Sequence, residues 1–312
     1  MARPRPARHA LTRGEFLRLA SAAAWSMATA GPTLATEGPV MHTRPIPSTG
    51  EPLPVIGLGT WRGFDVATDT AARARLTEVL RALFEAGGRV VDSSPMYGSS
   101  EAVAGDLLAA LDAHDRTFVA TKVWTEGRQA GITQMDASMR LLRDERIELM
   151  QIHNLVDWRT HLDTLRAWKR ERRIQYLGVT HYRDDAHEQL EAVLRAEVID
   201  AVQLNYSAEA RAAEQRLLPL AADRGVAVLV NLPFGGGGLL RRLQGRPLPA
   251  LAADVGCSSW AQLLLKFVVS HPAVTCAIPG TSRPEHMREN AAAGTGVLPD
   301  AALRARIAAA IG

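Results

Sequence analysis

Leu149-Met150-Gln151-Ile152-His153, a stretch with helical spacing from Arg159 to Arg172, and then Ile174-Gln175-Tyr176-Leu177-Gly178-Val179-Thr180 form the passage on which the fold is read. A short apolar run, an amphipathic stretch and a second short run make a strand, a helical crossover and a parallel strand. The unit recurs in both directions. Further strand-like runs lie at Leu53 to Leu58, Arg89 to Asp92, Phe118 to Val123, Ala201 to Tyr206, Val226 to Asn231 and Thr275 to Pro279, which brings the strands to eight. Helical spacing fills most of the intervals, at Ala71 to Ala86, Glu101 to Ala113, Gln134 to Arg143, Asp185 to Ala196 and Ala212 to Arg224. Eight such repeats in about 250 residues predict an α/β fold of the (β/α)8 type, a TIM barrel in a single domain over residues 53–312. The alternative is an open, doubly wound sheet. That fold usually carries a G-x-G-x-x-G loop after its first strand, and no such spacing occurs in this chain.

Size and charge agree with one enzyme-sized core. The chain has 312 residues, 47% of them hydrophobic, and a formal charge of +3. Much of the basic excess sits in the first 20 residues, where Glu15 is the single acid. No run after that point interleaves Lys or Arg with aromatics, so nucleic acid has no electrostatic footprint here. Cys257 and Cys276 are too few for a disulfide framework and lack metal-ligand spacing. No metal site is expected.

The amino terminus reads as an address. Arginine-rich residues 3–18 lead into a short apolar run from Leu17 to Ala30, and small residues follow at Ala28-Thr29-Ala30 and Thr33-Leu34-Ala35. This order matches a secretory signal over residues 1–35, and the run is too short to span a bilayer. Thr12-Arg13-Gly14-Glu15-Phe16-Leu17-Arg18 resembles a twin-arginine motif in which Gly14 replaces the second arginine. Residues 36–52 read as a linker. A working signal makes the mature protein periplasmic or otherwise exported, with no stable membrane insertion; an inactive one leaves it cytoplasmic. No feature of the sequence sets the oligomeric state.

In barrels of this type the chemistry collects where the strands end. Strand two ends in Asp92 and runs on through Ser93-Ser94-Pro95-Met96-Tyr97-Gly98, strand three ends with Thr121-Lys122, and strand four ends with His153-Asn154. Charges at a barrel rim should be paired, so an ion pair between Asp92 and Lys122 is expected. A cation beside Tyr97 is expected to lower the phenol pKa from its usual value of about 10 and to make Tyr97 a general acid. His153 adds a donor beside the same oxygen.

The stretch from Asp92 to Gly98 resembles the aldo-keto reductase pattern, and Lys122 and His153 complete that family's tetrad. The likeness runs over nearly all of residues 50–295, from Ile56-Gly57-Leu58-Gly59-Thr60-Trp61 to Ile278-Pro279-Gly280-Thr281-Ser282-Arg283 and Glu289-Asn290. It implies a (β/α)8 barrel that binds a nicotinamide cofactor without a Rossmann motif and reduces aldehydes or ketones, or oxidises the corresponding alcohols or sugars. Gln203 matches the family glutamine that binds the carboxamide. Gly280, Thr281, Arg283, His286 and Asn290 fall in the loop for the adenosine phosphate, where Arg283 favours NADP(H) over NAD(H). The chain departs from the family where Thr180-His181 replaces the usual Ser-Asn pair, where Asn231 replaces the aromatic that stacks on the nicotinamide, and where Gly280 and His286 replace a common lysine and arginine. Gly235-Gly236-Gly237-Gly238 either cradles the pyrophosphate or forms a mobile loop. Trp61, Trp124 and Phe234 are candidates to wall a shallow substrate pocket.

Three functions follow. The favoured one is an NADP(H)-dependent carbonyl oxidoreductase acting on a small carbonyl or alcohol. The second is a barrel that keeps the tetrad but uses bound cofactor as a redox-sensing ligand. The third is a non-redox isomerase or hydrolase with Asp92 and His153 as acid and base.

Overall fold

A two-residue period decides which side chains face the barrel axis. The computed structural model describes residues 40–312, so the export signal expected over residues 1–35 lies outside the described residues. Eight parallel strands form one sheet in sequential order: β3 (Leu58–Gly59), β4 (Val90–Asp92), β5 (Phe118–Val123), β6 (Ile147–His153), β7 (Ile174–His181), β8 (Ala201–Asn205), β9 (Ala227–Asn231) and β10 (Cys276–Ala277). Parallel bridges join Ile56 to Ala277 and Gly59 to Gly280, closing the barrel between its first and last strands. Glycine makes this seam: a Cβ on Gly59 would lie 2.9 Å from the Ile278 carbonyl oxygen.

Val90, Phe118, Leu149, Tyr176, Leu229 and Cys276 belong to one buried cluster. Two residues further along their strands stand Asp92, Gln151 and Asn231, so the same alternation that fills the barrel with apolar groups delivers polar ones to its C-terminal end.

The stretch read as a first strand, Leu53 to Leu58, is divided. Residues Pro52–Pro54 (β2) pair antiparallel with Thr43–Pro45 (β1), while Ile56 bridges to Ala277 and Leu58–Gly59 pairs with β4 in the barrel. Pro52 and Pro54 have no N–H to give a central ladder, which confines them to this small hairpin. Glu51 accepts hydrogen bonds from Tyr176 Oη at 2.6 Å and Gln175 Nε2 at 2.8 Å, tying the hairpin to the start of β7.

Helices cover the barrel between strands: α1 (Thr70–Glu85), α2 (Ser100–Ala110), α3 (Arg128–Leu142), α4 (Trp158–Arg170), α5 (His187–Ala196) and α6 (Leu217–Asp223). α6 is shorter than the spacing from Ala212 predicts, because a 3₁₀ turn at Ala212–Glu214 precedes it and Pro219 sits in its first turn, where no N–H is needed. Two helices not expected from sequence, α7 (Gly238–Leu243) and α8 (Trp260–Val269), lie between β9 and β10. In α8 residues Leu263 to Val269 are all buried, so the one-sided pattern that betrays a surface helix is missing. α9 (Pro284–Ala292) and α10 (Ala301–Ala310) complete the described chain.

Candidate active site

The polar strand ends form one connected network. Lys122, fully buried, donates from Nζ to Asp92 Oδ1 at 2.5 Å and to the Ser93 carbonyl at 2.6 Å. Asp92 Oδ2 accepts from Gln151 Nε2 at 3.0 Å and from Gln203 Nε2 at 2.9 Å. Asn231 Nδ2 donates to Gln203 Oε1 at 3.3 Å, which extends the chain of amides to the end of β9. Buried groups of this polarity persist when they are hydrogen-bonded, and here Asp92, Lys122, Gln151 and Gln203 satisfy one another.

Tyr97 enters from the loop after β4. Its N–H donates to the Ser94 carbonyl at 3.0 Å, forming a turn that sets the phenol over Lys122, whose Nζ lies 5.2 Å from the ring centroid. The Tyr97 pKa is raised, not lowered as the sequence suggested. Burial of the phenol dominates, and the favourable charge of Lys122 is partly cancelled by Asp92 behind it. Lys122 itself is held charged: burial opposes the cation, but Asp92, Tyr97 and Glu101 together push its pKa up. Glu101, buried in α2, accepts from Thr121 Oγ1 at 2.5 Å and Ser138 Oγ at 3.0 Å.

His153 ends β6 with its ring edge-on to Tyr97, centroids 5.9 Å apart. Burial, then the Lys122 charge, then His181 depress its pKa to about 2, so the imidazole is neutral across the physiological range. Its Nδ1 lies 2.9 Å from Ser94 Oγ.

These groups open onto a cavity of about 850 Å³ that runs from Tyr97, His153 and Gln203 past Asn231 to Gly280, Thr281, His286 and Asn290. Trp61 and Phe234 also line it, and Gly235, Gly236 and Gly237 contribute backbone in conformations with positive φ that suit only glycine. Besides Lys122, which lies beneath Tyr97, three expected site residues stand apart from the lining. Thr180 is buried behind it, Trp124 stands over His153 with centroids 6.5 Å apart, and Arg283 is exposed and paired with Glu285 at 2.6 Å. Arg62, Met96, Asn154 and Tyr182 also line the cavity and are not among the site residues expected from sequence. Asn154 was legible as a polar residue at a strand end. The others follow strand ends too, but exposure alone gives no pattern.

The sequence model described as Aldo/keto reductase family matches residues 55–307. The chain belongs to the aldo/keto reductase family, and it is an oxidoreductase. Among its relatives, methylglyoxal reductase YeaE of Escherichia coli is 29% identical over 77% of this chain and 85% of its own length. The 9,11-endoperoxide prostaglandin H2 reductase of Trypanosoma cruzi is 24% identical over 76% and 81%. A Klebsiella pneumoniae aldo-keto reductase solved in complex with NADPH is 26% identical, with a TM-score of 0.73 over 86% of this chain and 94% of that one.

Two side-chain oxygens in this aldo/keto reductase cavity, Asn154 Oδ1 and Asn231 Oδ1, are buried without a hydrogen-bond partner. Unpaired buried acceptors are costly, and a ligand bearing N–H donors, such as a carboxamide, suits them. The residues present therefore fit a nicotinamide dinucleotide. Gln203 and Asn231 would hold its nicotinamide end, and Thr281, Arg283, His286 and Asn290 its phosphate end.

Proposed function

We propose that this protein is an NADP(H)-dependent carbonyl reductase, in which Tyr97 gives the proton and the substrate is a small aldehyde or ketone. What carries the reading is the stacked set Asp92, Lys122, Tyr97: a protonated phenol open to a cavity, with a buried, anchored ammonium at its back. The nicotinamide, when bound, supplies the hydride to the carbonyl carbon. The carbonyl oxygen gains negative charge as this happens, and Tyr97 Oη delivers its proton there. Lys122 stabilises the phenolate that is left, and Asp92 keeps Lys122 in place. His153, neutral, donates a hydrogen bond to the same oxygen without competing for the proton. In the reverse direction the same groups take the proton from an alcohol.

NADP(H) is favoured over NAD(H) because Thr281 and the fork of donors on Arg283 suit a 2′-phosphate, and because the similar Klebsiella reductase was solved with NADPH. The test is a fluorescence titration of the full chain with NADPH and NADH, followed by an assay of NADPH consumption against a panel of aldehydes and ketones that begins with methylglyoxal. Binding with turnover supports the proposal. Tight binding with no turnover on any carbonyl points to the redox-sensing role, and failure to bind either nucleotide removes the cofactor from the account.

A further inference from the structure

We propose that Ser94 is a positioning residue of this site: its hydroxyl donates to Nδ1 of His153, which keeps the imidazole proton on Nε2, the nitrogen turned toward the cavity. Hydrogen-bond supply decides where the imidazole proton sits. Ser94 is fully buried and His153 nearly so, with Ser94 Oγ 2.9 Å from His153 Nδ1. Two arrangements fit that distance. Either the hydroxyl donates to a bare Nδ1, or a protonated Nδ1 donates to the hydroxyl oxygen.

In the second arrangement the hydroxyl hydrogen needs another acceptor, and Nδ1 is the one acceptor within reach of Ser94 Oγ among the described residues. The remaining contact of Oγ is with the Met96 N–H, at 3.4 Å, and that group is itself a donor. A buried hydroxyl hydrogen without an acceptor is costly, so the first arrangement is the stable one. The neutral ring then carries its proton on Nε2. His153 lines the cavity while its Nδ1 is turned to buried Ser94, so Nε2 and its proton are presented to the cavity. The depressed pKa of His153 agrees, because no second proton competes for Nδ1.

Ser94 sets the other partner as well. Its backbone carbonyl accepts from Tyr97 N–H at 3.0 Å, so one residue fixes the turn that carries the phenol and the tautomer of the imidazole facing it. An alanine in its place keeps the turn and loses the tautomer control. The inference rests on the proposed reductase reading for its catalytic consequence, but the tautomer is a property of the resting protein and is tested without turnover.

The test is long-range proton–nitrogen NMR on full-length protein labelled with nitrogen-15 at histidine, with His153 assigned by its loss in His153→Gln. The wild-type ring should show a protonated Nε2 and a bare Nδ1. Ser94→Ala should shift the Nδ1 resonance and mix the tautomers, lower kcat/KM about 5- to 20-fold and leave NADPH affinity within about twofold. Ser94→Thr, which keeps a hydroxyl, should restore the Nδ1 resonance. A wild-type ring protonated at Nδ1 overturns the proposal whatever the variants do, and so does an unaltered His153 spectrum in Ser94→Ala. A correct spectrum combined with no carbonyl reduction would leave the tautomer assignment standing and remove the reductase reading instead.

Discussion

Lys122 Nζ lies 2.5 Å from Asp92 Oδ1 and 5.2 Å from the centre of the Tyr97 ring, so a single buried cation is held by a carboxylate on one side and faces a phenol on the other. Replacing the phenol should remove the proton donor while leaving the cofactor groups in place. Tyr97→Phe is expected to lose about 10²- to 10⁴-fold in kcat with little change in NADPH affinity by fluorescence titration. Near-normal turnover in that variant would end the assignment of Tyr97 as the acid.

Lys122 and Asp92 should behave differently from Tyr97 because both are buried. Lys122→Met leaves Asp92 buried with two amide donors and no cation, and breaking such a pair typically costs about 3–5 kcal/mol. The variant should therefore lose both activity and stability, read as a lowered midpoint in urea. Tyr97→Phe should lose activity alone.

The barrel was legible because short apolar runs and helical stretches alternate along the chain, and the tetrad because Asp92, Lys122 and His153 are polar residues at the ends of apolar runs. The amide chain was less so. Gln203 could be read only toward a cofactor, whereas the structure turns its Nε2 to Asp92 and Gln151, a relation between β4, β6 and β8 that no local spacing encodes. The direction of the Tyr97 pKa escapes the sequence for a similar reason. A neighbouring cation can be inferred from sequence, but the extent of burial that outweighs it arises only once the loop after β4 has folded against the rim.

His153 is neutral well below neutral pH, which fixes part of the pH profile. Between pH 5 and 9 kcat/KM for reduction should show no limb belonging to His153, and Tyr97, with its pKa raised, should stay protonated throughout. Comparison of the wild type with His153→Gln provides the check: both profiles should have the same shape, with the variant lower. An acid limb near pH 6.5 that vanishes in the variant would contradict the burial of this imidazole.

Stability has its own pH dependence at Glu148 on β6. Burial raises its carboxyl to a pKa of about 7 from 4.5, although its Oε2 accepts from the Val119 N–H at 2.8 Å. The folded protein thus holds a proton that the unfolded chain has released, and stability falls as pH rises from 4.5 through 7. Glu148→Gln keeps an acceptor for Val119 and removes the charge. It should match the wild type near pH 4.5 and exceed it by roughly 1–3 kcal/mol at pH 8, seen as a higher Tm. An equal Tm difference at both pH values would rule this out.

Export can be read by fractionation and mass measurement. The basic, apolar and small-residue order over residues 3–35 predicts a cleaved protein that begins near Thr36 in the envelope fraction. Full-length protein found only in the cytosol would dismiss the signal.

Cofactor choice turns on Arg283 and Glu285, whose side chains meet at 2.6 Å on the surface where the loop after β10 enters α9. The guanidinium proposed to meet a 2′-phosphate is therefore shared with a carboxylate. Because both groups are exposed, the pair is readily displaced, and a phosphate accepting two parallel N–H bonds is the stronger partner. Glu285 should still compete with the phosphate and repel it. Glu285→Gln is expected to tighten NADPH binding a few-fold with little effect on NADH, while Arg283→Ala should weaken NADPH binding about tenfold and leave NADH nearly unchanged. Added salt should erode the difference between the two nucleotides in the wild type and much less in Arg283→Ala, since the exposed charge that salt screens is then gone. Titration of all three proteins with both nucleotides at low and high salt decides the matter. Tighter binding of NADH than NADPH by the wild type, or indifference of NADPH to Arg283→Ala, would mean that the phosphate is held elsewhere or not at all.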